Sequence, residues 1–194
     1  MANIIDIRSI DVADIDTNET FAIDTNALVW THYSKASDSR LNKHPYQVVE
    51  YPNFINKLLQ NGNMIVTTIL NITELCGVVE RNEYKIYKAV NHLNPFSIKD
   101  YRKLAAARSA YKKEIDTMIM EIESVYDNHV EEVALNEQVI DRYKKDICSN
   151  HCDIFDYAVI EYLKQKGIKN YISDDKDFAS VDEINLFTTS EASS

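Results

Sequence analysis

Hydrophobic positions along the chain follow two different periods. Short apolar runs at 21–24, 64–70, 170–173 and 184–187 are bounded by polar residues and predict buried strands. Between these runs, apolar residues recur every three or four positions, which predicts amphipathic helices. Strands that alternate with helices imply right-handed crossovers and a mainly parallel sheet covered on both faces. The sequence therefore predicts an α/β fold arranged as a three-layer sandwich.

Turn and cap residues indicate where several helices begin and end. Pro52 suits the first turn of a helix that Gly62 ends. Asn71 and Glu74 have capping-box spacing at the start of a second helix. Gly167 follows a helix predicted over 153–166 in the usual position after a helix C-terminus. These positions place most helices directly after or before a predicted strand.

A helical insertion is predicted at about 82–129. From 101 to 125, apolar or aromatic residues recur at spacings of three and four, which favours one helix of about 28 residues packed against the helix before it. Together the two helices form a protruding antiparallel hairpin, which the sheet core should not require. The remaining boundaries are an acidic N-terminal extension over 1–20, without a clear period, and a single domain over 21–190.

Composition and charge narrow the class of protein. The 194 residues are 45% hydrophobic and 27% charged, as expected for one globular domain. No apolar stretch is long enough for a membrane span, the N-terminus is acidic, and three cysteines lack zinc-ribbon spacing, which together favour a cytoplasmic protein. The net charge of −10 argues against a broad basic surface that binds nucleic acid by electrostatics alone.

Carboxylates are expected to meet at one edge of the sheet. Asp24 ends the first strand of the domain, and Asp175 follows a late one. Glu74 and Asp156 each lie in the first turn or so of a helix beside such a strand. Ligands of open parallel sheets bind beyond the carboxyl ends of the strands. Clustered carboxylates repel one another unless a cation shares them, and hard oxygen ligands suit Mg²⁺ or Mn²⁺, which serve phosphodiester hydrolysis by activating water and orienting the phosphate.

Four segments resemble the acidic motifs of PIN-domain nucleases, in the order typical of that family. They are FAIDTNALVW, TTILNITEL, DYAVIEYLKQKG and ISDDKDF. The resemblance covers roughly 21–187, and the stretch at 82–129 is longer than in compact members. It implies a PIN-like three-layer sandwich. It also implies a metal cluster formed by four acids, Asp24, Glu74, Asp156 and Asp175. By the same resemblance, Asp177 is an accessory acid, and Asn26 and Ser173 are polar residues that organise the site.

The resemblance also implies an activity. PIN-like nucleases of this kind are Mg²⁺- or Mn²⁺-dependent endoribonucleases that act on single-stranded RNA. Many relatives are toxins neutralised by an antitoxin, so an antitoxin protein is an expected partner beside RNA, and a homo-oligomer is compatible with the family. The alternative is a catalytically silent PIN-like module that binds RNA or protein. Metal-dependent cleavage separates the two hypotheses.

Each acid also has a purely structural interpretation. Asp24 suits the cap of the helix that follows it, and Glu74 completes a capping box. Asp156 complements a helix dipole, while Asp175 and Asp177 suit an ordinary turn. Taken singly these interpretations stay open, and only the combination of acids favours a metal site.

Other site chemistries have weaker support. Cys148, His151 and Cys152 suggest a soft-metal site, but a fourth ligand at suitable spacing is missing. Asp14 and Asp16 faintly resemble the nucleophile pair of haloacid-dehalogenase-like phosphatases. The sequence has only three glycines and therefore no Gly-rich phosphate loop, and no local signature of a Ser-His-Asp triad is present.

Tyrosine is repeatedly followed by a basic residue between positions 84 and 145. Aromatic faces beside cations suit single-stranded nucleic acid, because bases stack on the rings and phosphates pair with the cations. Tyr101 and Tyr111 lie on the apolar stripe and are expected to be buried, which leaves a solvated face or a protein interface as the alternative. The candidate substrate contacts are Lys85, Lys88, Lys112 and Lys113.

Overall fold

A computed structural model describes residues 1–41 and 46–189, and position 190, the predicted end of the domain, lies outside these ranges. None of the helices in these ranges is both long and apolar enough to span a bilayer. The strands are β1 (Asn3–Asp6), β2 (Thr20–Ile23), β3 (Met64–Thr68), β4 (Val130–Glu131), β5 (Asn170–Ile172) and β6 (Asn185–Thr188). The helices are α1 (Thr25–His32), α2 (Gln47–Asn61), α3 (Ile69–Val90), α4 (Ile98–Tyr101), α5 (Ala105–Val125), α6 (Glu137–Asp146) and α7 (Ile154–Gln165).

The strands form one sheet in the order β1-β6-β5-β2-β3-β4, and every neighbouring pair is parallel. From β2 the chain moves outward through β3 and β4, and it then returns to the other side of β2 with β5 and β6. The strand order therefore reverses between β2 and β5. This arrangement confirms the predicted α/β fold class and is consistent with a PIN-like three-layer sandwich.

Alternation along β2 explains why both faces of the sheet are covered. Phe21 and Ile23 belong to the larger apolar cluster, which includes residues of α1, α2, α3 and α5. Ala22 points to the other face and belongs to a cluster built largely from α7 and the segment after β5. On the larger side, the Phe21 ring packs edge-on against Phe54 and Phe187, with centroids 6.5 and 5.0 Å apart.

The first twenty residues do not form the irregular extension that their acidic sequence predicts. Asn3 to Asp6 form β1, which pairs with the strand Asn185–Thr188 at the edge of the sheet. Ile7 and Val12 are 6% and 5% exposed and pack into the larger core cluster. An edge strand of four residues with half-exposed side chains carries little hydrophobic alternation, so the sequence pattern does not reveal it.

The helical insertion also differs from its prediction. The single long helix is broken by an extended Leu104 (φ −83°, ψ 108°), which separates α4 from α5. Met118, Ile122 and Tyr126 are at most 2% exposed and belong to the main core cluster, so the sheet core does use the base of the hairpin. Its distal end packs separately, through the aromatic cluster Tyr84, Tyr87, Phe96 and Tyr101. Periodicity indicates a buried face, but not which element covers it.

Cap residues agree with the predicted helix ends in part. Gly62 (φ 92°) and Gly167 (φ 81°) follow α2 and α7 in the left-handed conformation that favours glycine. Pro52, predicted in a first turn, lies inside α2, which begins five residues earlier. Asn71 is not the cap of α3, because Thr68 Oγ1 holds that position and accepts the Asn71 N–H at 3.2 Å. The Asn71 side-chain amide nitrogen instead donates hydrogen bonds to Asp24 and Thr25.

Candidate functional site

The site begins where the strand order reverses. β2 and β5 are neighbours with Ile23 opposite Ile172, so the next residues, Asp24 and Ser173, lie side by side at the carboxyl edge of the sheet. Ser173 Oγ donates to Asp24 Oδ2 at 2.8 Å, and the Asp24 N–H donates to the Ile172 carbonyl at 3.0 Å. Strand register alone thus joins two side chains that are 149 residues apart in sequence.

Asn71 supports Asp24 from the opposite side. Its Nδ2 donates to Asp24 Oδ1 at 3.2 Å and to Thr25 Oγ1 at 3.3 Å. Thr25 Oγ1 in turn donates to Glu74 Oε2 at 2.8 Å. Neither Asn71, which the sequence suggested only as a helix cap, nor Thr25 is among the site residues predicted from the sequence. The available signal was the spacing of Asn71 and Glu74, which suits one face of a helix as well as it suits a capping box.

The side chain of Asp24 accepts these contacts instead of capping α1. Asp24 occupies the N-cap position of that helix, but its side chain makes no capping hydrogen bond there. It is 8% exposed, and both of its oxygens accept hydrogen bonds from side chains of neighbouring elements. The contacts therefore do not support the interpretation of Asp24 as a helix cap.

Asn26 and Ser173 hold the loop after β5. Asn26 Oδ1 accepts the Asp174 N–H at 3.0 Å, and Ser173 Oγ accepts the Asp175 N–H at 3.0 Å. The two consecutive acids then diverge. Asp174 turns away and accepts the Tyr51 hydroxyl at 2.9 Å, whereas Asp175 faces a cavity at the sheet edge. Asp174 therefore holds neighbouring elements of the fold together, whereas Asp175 is available to a ligand in the cavity.

The cavity has a volume of about 250 Å³. The four predicted acids all line it: Asp24, Glu74, Asp156 and Asp175. Its remaining wall is largely apolar and includes Val29, Trp30, Leu41 and Val78. The accessory acid Asp177 is exposed and is not part of the lining; its backbone N–H donates to Asp175 Oδ1 at 2.9 Å. Asp175 thereby also caps the short turn that follows it, in agreement with its structural interpretation.

Burial and mutual repulsion act on the acids together. Burial raises the pKa of Asp24 to about 6; the hydrogen bond from Ser173 opposes this shift, and the charges of Glu74 and Asp175 add to it. Burial likewise raises the pKa of Asp156 to about 8, and the charge of Asp24 is the next largest cause. Both shifts mean that the ionised carboxylates lack a compensating positive charge.

This donor set suits a hard divalent cation without forming a complete cage. Within the described ranges, no group of three His, Cys, Asp or Glu side chains is placed to hold a metal ion directly. Mg²⁺ does not need such a group, because it keeps several waters and binds proteins through one or two carboxylates. A cation would also offset the burial and the repulsion between carboxylates that together raise the pKa values of Asp24 and Asp156. The residues therefore fit Mg²⁺ or Mn²⁺ held in part through water.

The alternative chemistries find less support in the geometry. Cys148 is exposed and Cys152 is buried, and burial together with the charge of Asp156 raises the pKa of the Cys152 thiol, which disfavours the thiolate that a soft metal requires. Asp14 and Asp16 lie on the surface before β2 begins, at the end of the strand opposite the cavity. A nucleophile pair of the phosphatase kind would instead follow the strand.

Two of the candidate substrate lysines continue the cavity face of α3. Glu74, Val78 and Asn82 line the cavity at spacings of four residues. Lys85 follows Asn82 by three residues and Lys88 follows Lys85 by three, which keeps both close to the same helix face. One face of α3 therefore carries Glu74 at the cavity and, further along the helix, Lys85 and Lys88.

The other two lysines lie on α5, and the nearby tyrosines, Tyr101 on α4 and Tyr111 on α5, are used for packing. Tyr101 is 1% exposed, and the Tyr111 hydroxyl donates to a backbone carbonyl of α3 at 2.9 Å. Lys112 and Lys113 are exposed on the outer face of α5, and Lys112 pairs with Asp116 one turn later. The expectation of burial is confirmed for Tyr101, whereas Tyr111 is only half-buried against α3. Lys112 and Lys113 are not among the residues that line the cavity.

Comparison with known proteins does not assign this chain to a family. No family model matches it, and a search of curated proteins finds no match. The likeness of its four acidic motifs to those of PIN-domain nucleases therefore stays a prediction from the sequence.

Proposed function

We propose that this protein is a metal-dependent PIN-like nuclease that hydrolyses phosphodiester bonds in single-stranded RNA. One observation carries the proposal: four carboxylates from separate segments line a single cavity at the point where the strand order reverses. A parallel sheet alone does not imply a function. Burial and neighbouring carboxylates raise the pKa values of Asp24 and Asp156, which destabilises the ionised forms unless a ligand uses them and makes this cavity the best candidate for a site.

Each acid has a distinct role in the proposed site. Ser173 and Asn71 fix both oxygens of Asp24 and orient it as the central ligand. Asp156, on α7, lines the same cavity and provides the second ligand. Thr25 holds Glu74 through Oε2, which leaves Oε1 to orient a water molecule and to accept its proton. Bound among these residues, Mg²⁺ or Mn²⁺ supplies a Lewis acid for the phosphate and lowers the pKa of water.

The remaining acids support this arrangement. Asp175 provides a further oxygen ligand, and Asp177 positions it through a backbone hydrogen bond rather than by lining the cavity. The preference for RNA over DNA follows from the family resemblance of the motifs. A cytoplasmic location is part of the proposal, since all three cysteines are free thiols, as a reducing compartment favours.

Cleavage assays test the proposal directly. Labelled single-stranded RNA and DNA of the same sequence are incubated with wild-type protein in Mg²⁺, Mn²⁺ or EDTA, beside Asp24→Asn and a control, Asp141→Asn. Asp141 is exposed on α6 and pairs only with Lys144 among the described residues, so its substitution should not affect cleavage. We expect metal-dependent cleavage of RNA by wild type and by the control, and none by Asp24→Asn.

The same assay separates the nuclease from its main alternative. Binding of RNA without cleavage, equal in EDTA and in metal, would replace the nuclease with a silent PIN-like module that binds RNA. Cleavage by Asp24→Asn at the wild-type rate would remove the acid cavity from the reaction.

A further inference from the structure

Two cavities flank the acids Glu74 and Asp156. The first is the cavity already described, with Trp30 in its wall. The second also measures about 250 Å³, and its wall includes Phe155 and Val159. Both cavities include Glu74 and Asp156 in their linings. A ligand bound at these two acids can therefore reach both cavities.

Each cavity has an aromatic ring in its wall. Phe155 is 54% exposed, although the four residues from 157 to 160 on the same helix are buried. Trp30 lines the first cavity, and its Nε1 has no hydrogen-bond partner within the described part of the chain. The buried, unpartnered N–H of Trp30 costs folding free energy, and the exposed ring of Phe155 contributes little hydrophobic stabilisation to the core. Both rings are therefore suited to a ligand.

We propose that the two cavities are nucleobase subsites, in which the bases on either side of the cleaved phosphate stack on Trp30 and Phe155. This inference rests on the proposed nuclease function and adds the mode of substrate binding. Phosphates are repelled by the acids unless a cation lies between them, whereas neutral bases are not. Two stacked bases would place the phosphate that joins them beside Glu74 and Asp156, which both cavities share.

The occupant that fits these features is a single strand of at least two nucleotides. Stacking on aromatic rings tolerates any sequence, since every base has a π-face, and it requires bases that are not already stacked in a duplex. Charge supports the same occupant, because Lys85 and Lys88 continue the face of α3 from the first cavity. The next phosphates of a strand that leaves this cavity would therefore meet cations.

The sequence provides a direct reporter of the first subsite. Trp30 is the only tryptophan in the chain, so tryptophan emission reports this cavity alone. The experiment titrates a single-stranded RNA tetranucleotide into the Asp24→Asn protein in Mg²⁺, where cleavage is blocked. The same titration is repeated with a tetranucleotide that lacks its bases, with Phe155→Ala, and with Ile140→Ala as the control. Ile140 is 47% exposed on α6 and matches Phe155 as an exposed apolar side chain on a helix.

We expect the intact tetranucleotide to quench tryptophan emission and the abasic strand to leave it unchanged. Phe155→Ala should weaken binding about tenfold, Phe155→Tyr should restore it because the ring is kept, and Ile140→Ala should bind like its parent. Unchanged affinity in Phe155→Ala, or saturation of the protein without any change in emission, would overturn the subsites. So would equal competition by a duplex of the same sequence.

These readouts are independent of catalysis. If wild-type protein fails to cleave RNA while the tetranucleotide quenches Trp30 and depends on Phe155, the nuclease proposal fails and the subsites survive as a binding site. If cleavage occurs but neither ring responds, the nuclease survives and the subsites fail.

Discussion

Helix α3 carries two sets of carboxylates in opposite surroundings. Near its N-terminus, Glu74 faces a cavity that it shares with three other acids. Six residues later, Glu80 receives ion pairs from Arg102 and Arg108, which approach from the segments before and within α5. Glu83, 6% exposed, accepts two hydrogen bonds from Lys35 Nζ at 2.6 and 2.8 Å. One helix thus joins a cluster of acids to a set of acids that are each paired with a base.

The pKa values express the difference between the two regions. The hydrogen bond from Arg102 is the main cause that lowers the pKa of Glu80. At the sheet edge, burial and neighbouring acids raise the pKa of Asp24 to about 6 and that of Asp156 to about 8. At Glu80 and Glu83, which join α3 to neighbouring segments, the chain supplies a counter-charge. At the cavity the chain supplies further acids, and this is the physical argument for an external cation.

The largest expected effect is on activity. Asp156→Asn should lower metal-dependent cleavage of single-stranded RNA by at least about 100-fold, because it removes a ligand that the proposed cation needs. Glu80→Gln should leave cleavage nearly unchanged, since Glu80 serves only to join α3 to the hairpin. Single-turnover rates at saturating Mg²⁺ measure both. Equal reductions in the two variants would mean that the two regions do not differ in function.

Stability without metal should change in opposite directions in the two regions. In EDTA at pH 9, Asp156→Asn should raise the free energy of unfolding by on the order of 1 to 2 kcal/mol, because it removes a repelled, partly buried charge. Glu83→Gln should lower it by about 2 kcal/mol, because Lys35 is deprived of its partner, although Lys35 is partly exposed. Urea denaturation gives both values. Changes of the same sign would contradict the comparison.

The acid region was largely accessible to prediction from sequence. Asp24 and Asp175 follow strands that the hydrophobic pattern identifies, and parallel strands end at the same edge of a sheet. The predicted acid Asp175 does line the cavity, but the hydrophobic pattern does not explain why its neighbour Asp174 does not. The two differ because the Tyr51 hydroxyl, on α2, donates to Asp174. The pattern also assigned Asn71 as the cap of α3, because it predicted that the preceding strand ends at residue 70. The strand ends at Thr68, and Thr68 is therefore the cap.

The paired region was less accessible, because its partners are distant in sequence. Nothing in the spacing of Glu80 indicates that Arg102 and Arg108 will reach it, and the break at Leu104 that separates α4 from α5 interrupts a continuous apolar stripe. β1 was missed for a related reason. A short edge strand owes its place to backbone pairing with β6 rather than to burial of its side chains.

The two regions should respond to pH with opposite sign. Glu80, whose pKa is lowered in the folded state, loses its contribution to stability as pH falls, whereas the acid region should lose stability as pH rises. A carboxyl whose pKa is raised in the folded state binds its proton more tightly than in the unfolded state, so its contribution to stability is lost as pH rises from about 4 towards its folded pKa. Asp24 and Asp156 should therefore lower stability progressively between about pH 4 and pH 8 in EDTA.

Mg²⁺ binds the ionised carboxylates and should reverse this destabilisation. Saturating Mg²⁺ should raise the Tm by several degrees at pH 8, roughly 2 to 4 °C per kcal/mol of binding, and change it little at pH 5. The Asp24→Asn protein should show a smaller shift at pH 8, whereas Glu80→Gln should respond like wild type. Differential scanning calorimetry at both pH values checks this; an equal Mg²⁺ shift at pH 5 and pH 8 would place the bound cation elsewhere.

The smallest expected effect distinguishes the lysines of α3 from those of α5. Lys85 and Lys88 form no ion pair with another described residue, and they continue the helix face that lines the cavity. Lys112, by contrast, already pairs with Asp116 on the outer face of α5. The double variant Lys85→Ala and Lys88→Ala should weaken RNA binding by on the order of 1 kcal/mol, since exposed lysines act mainly as point charges.

The salt dependence of binding shows whether this weakening reflects ion pairs between lysine and phosphate. Removal of each lysine that pairs with a phosphate should reduce the slope of log K against log salt by about 0.7 for a single strand, because fewer counterions are released. The matched variant Lys112→Ala and Lys113→Ala has the same change in net charge and should leave the slope nearly unaltered. Binding across a salt series in the Asp24→Asn background, where cleavage is blocked, gives both slopes. Equal reductions in the two double variants would indicate a diffuse electrostatic effect, and a larger reduction in the α5 variant would move the path of the RNA from α3 to the hairpin.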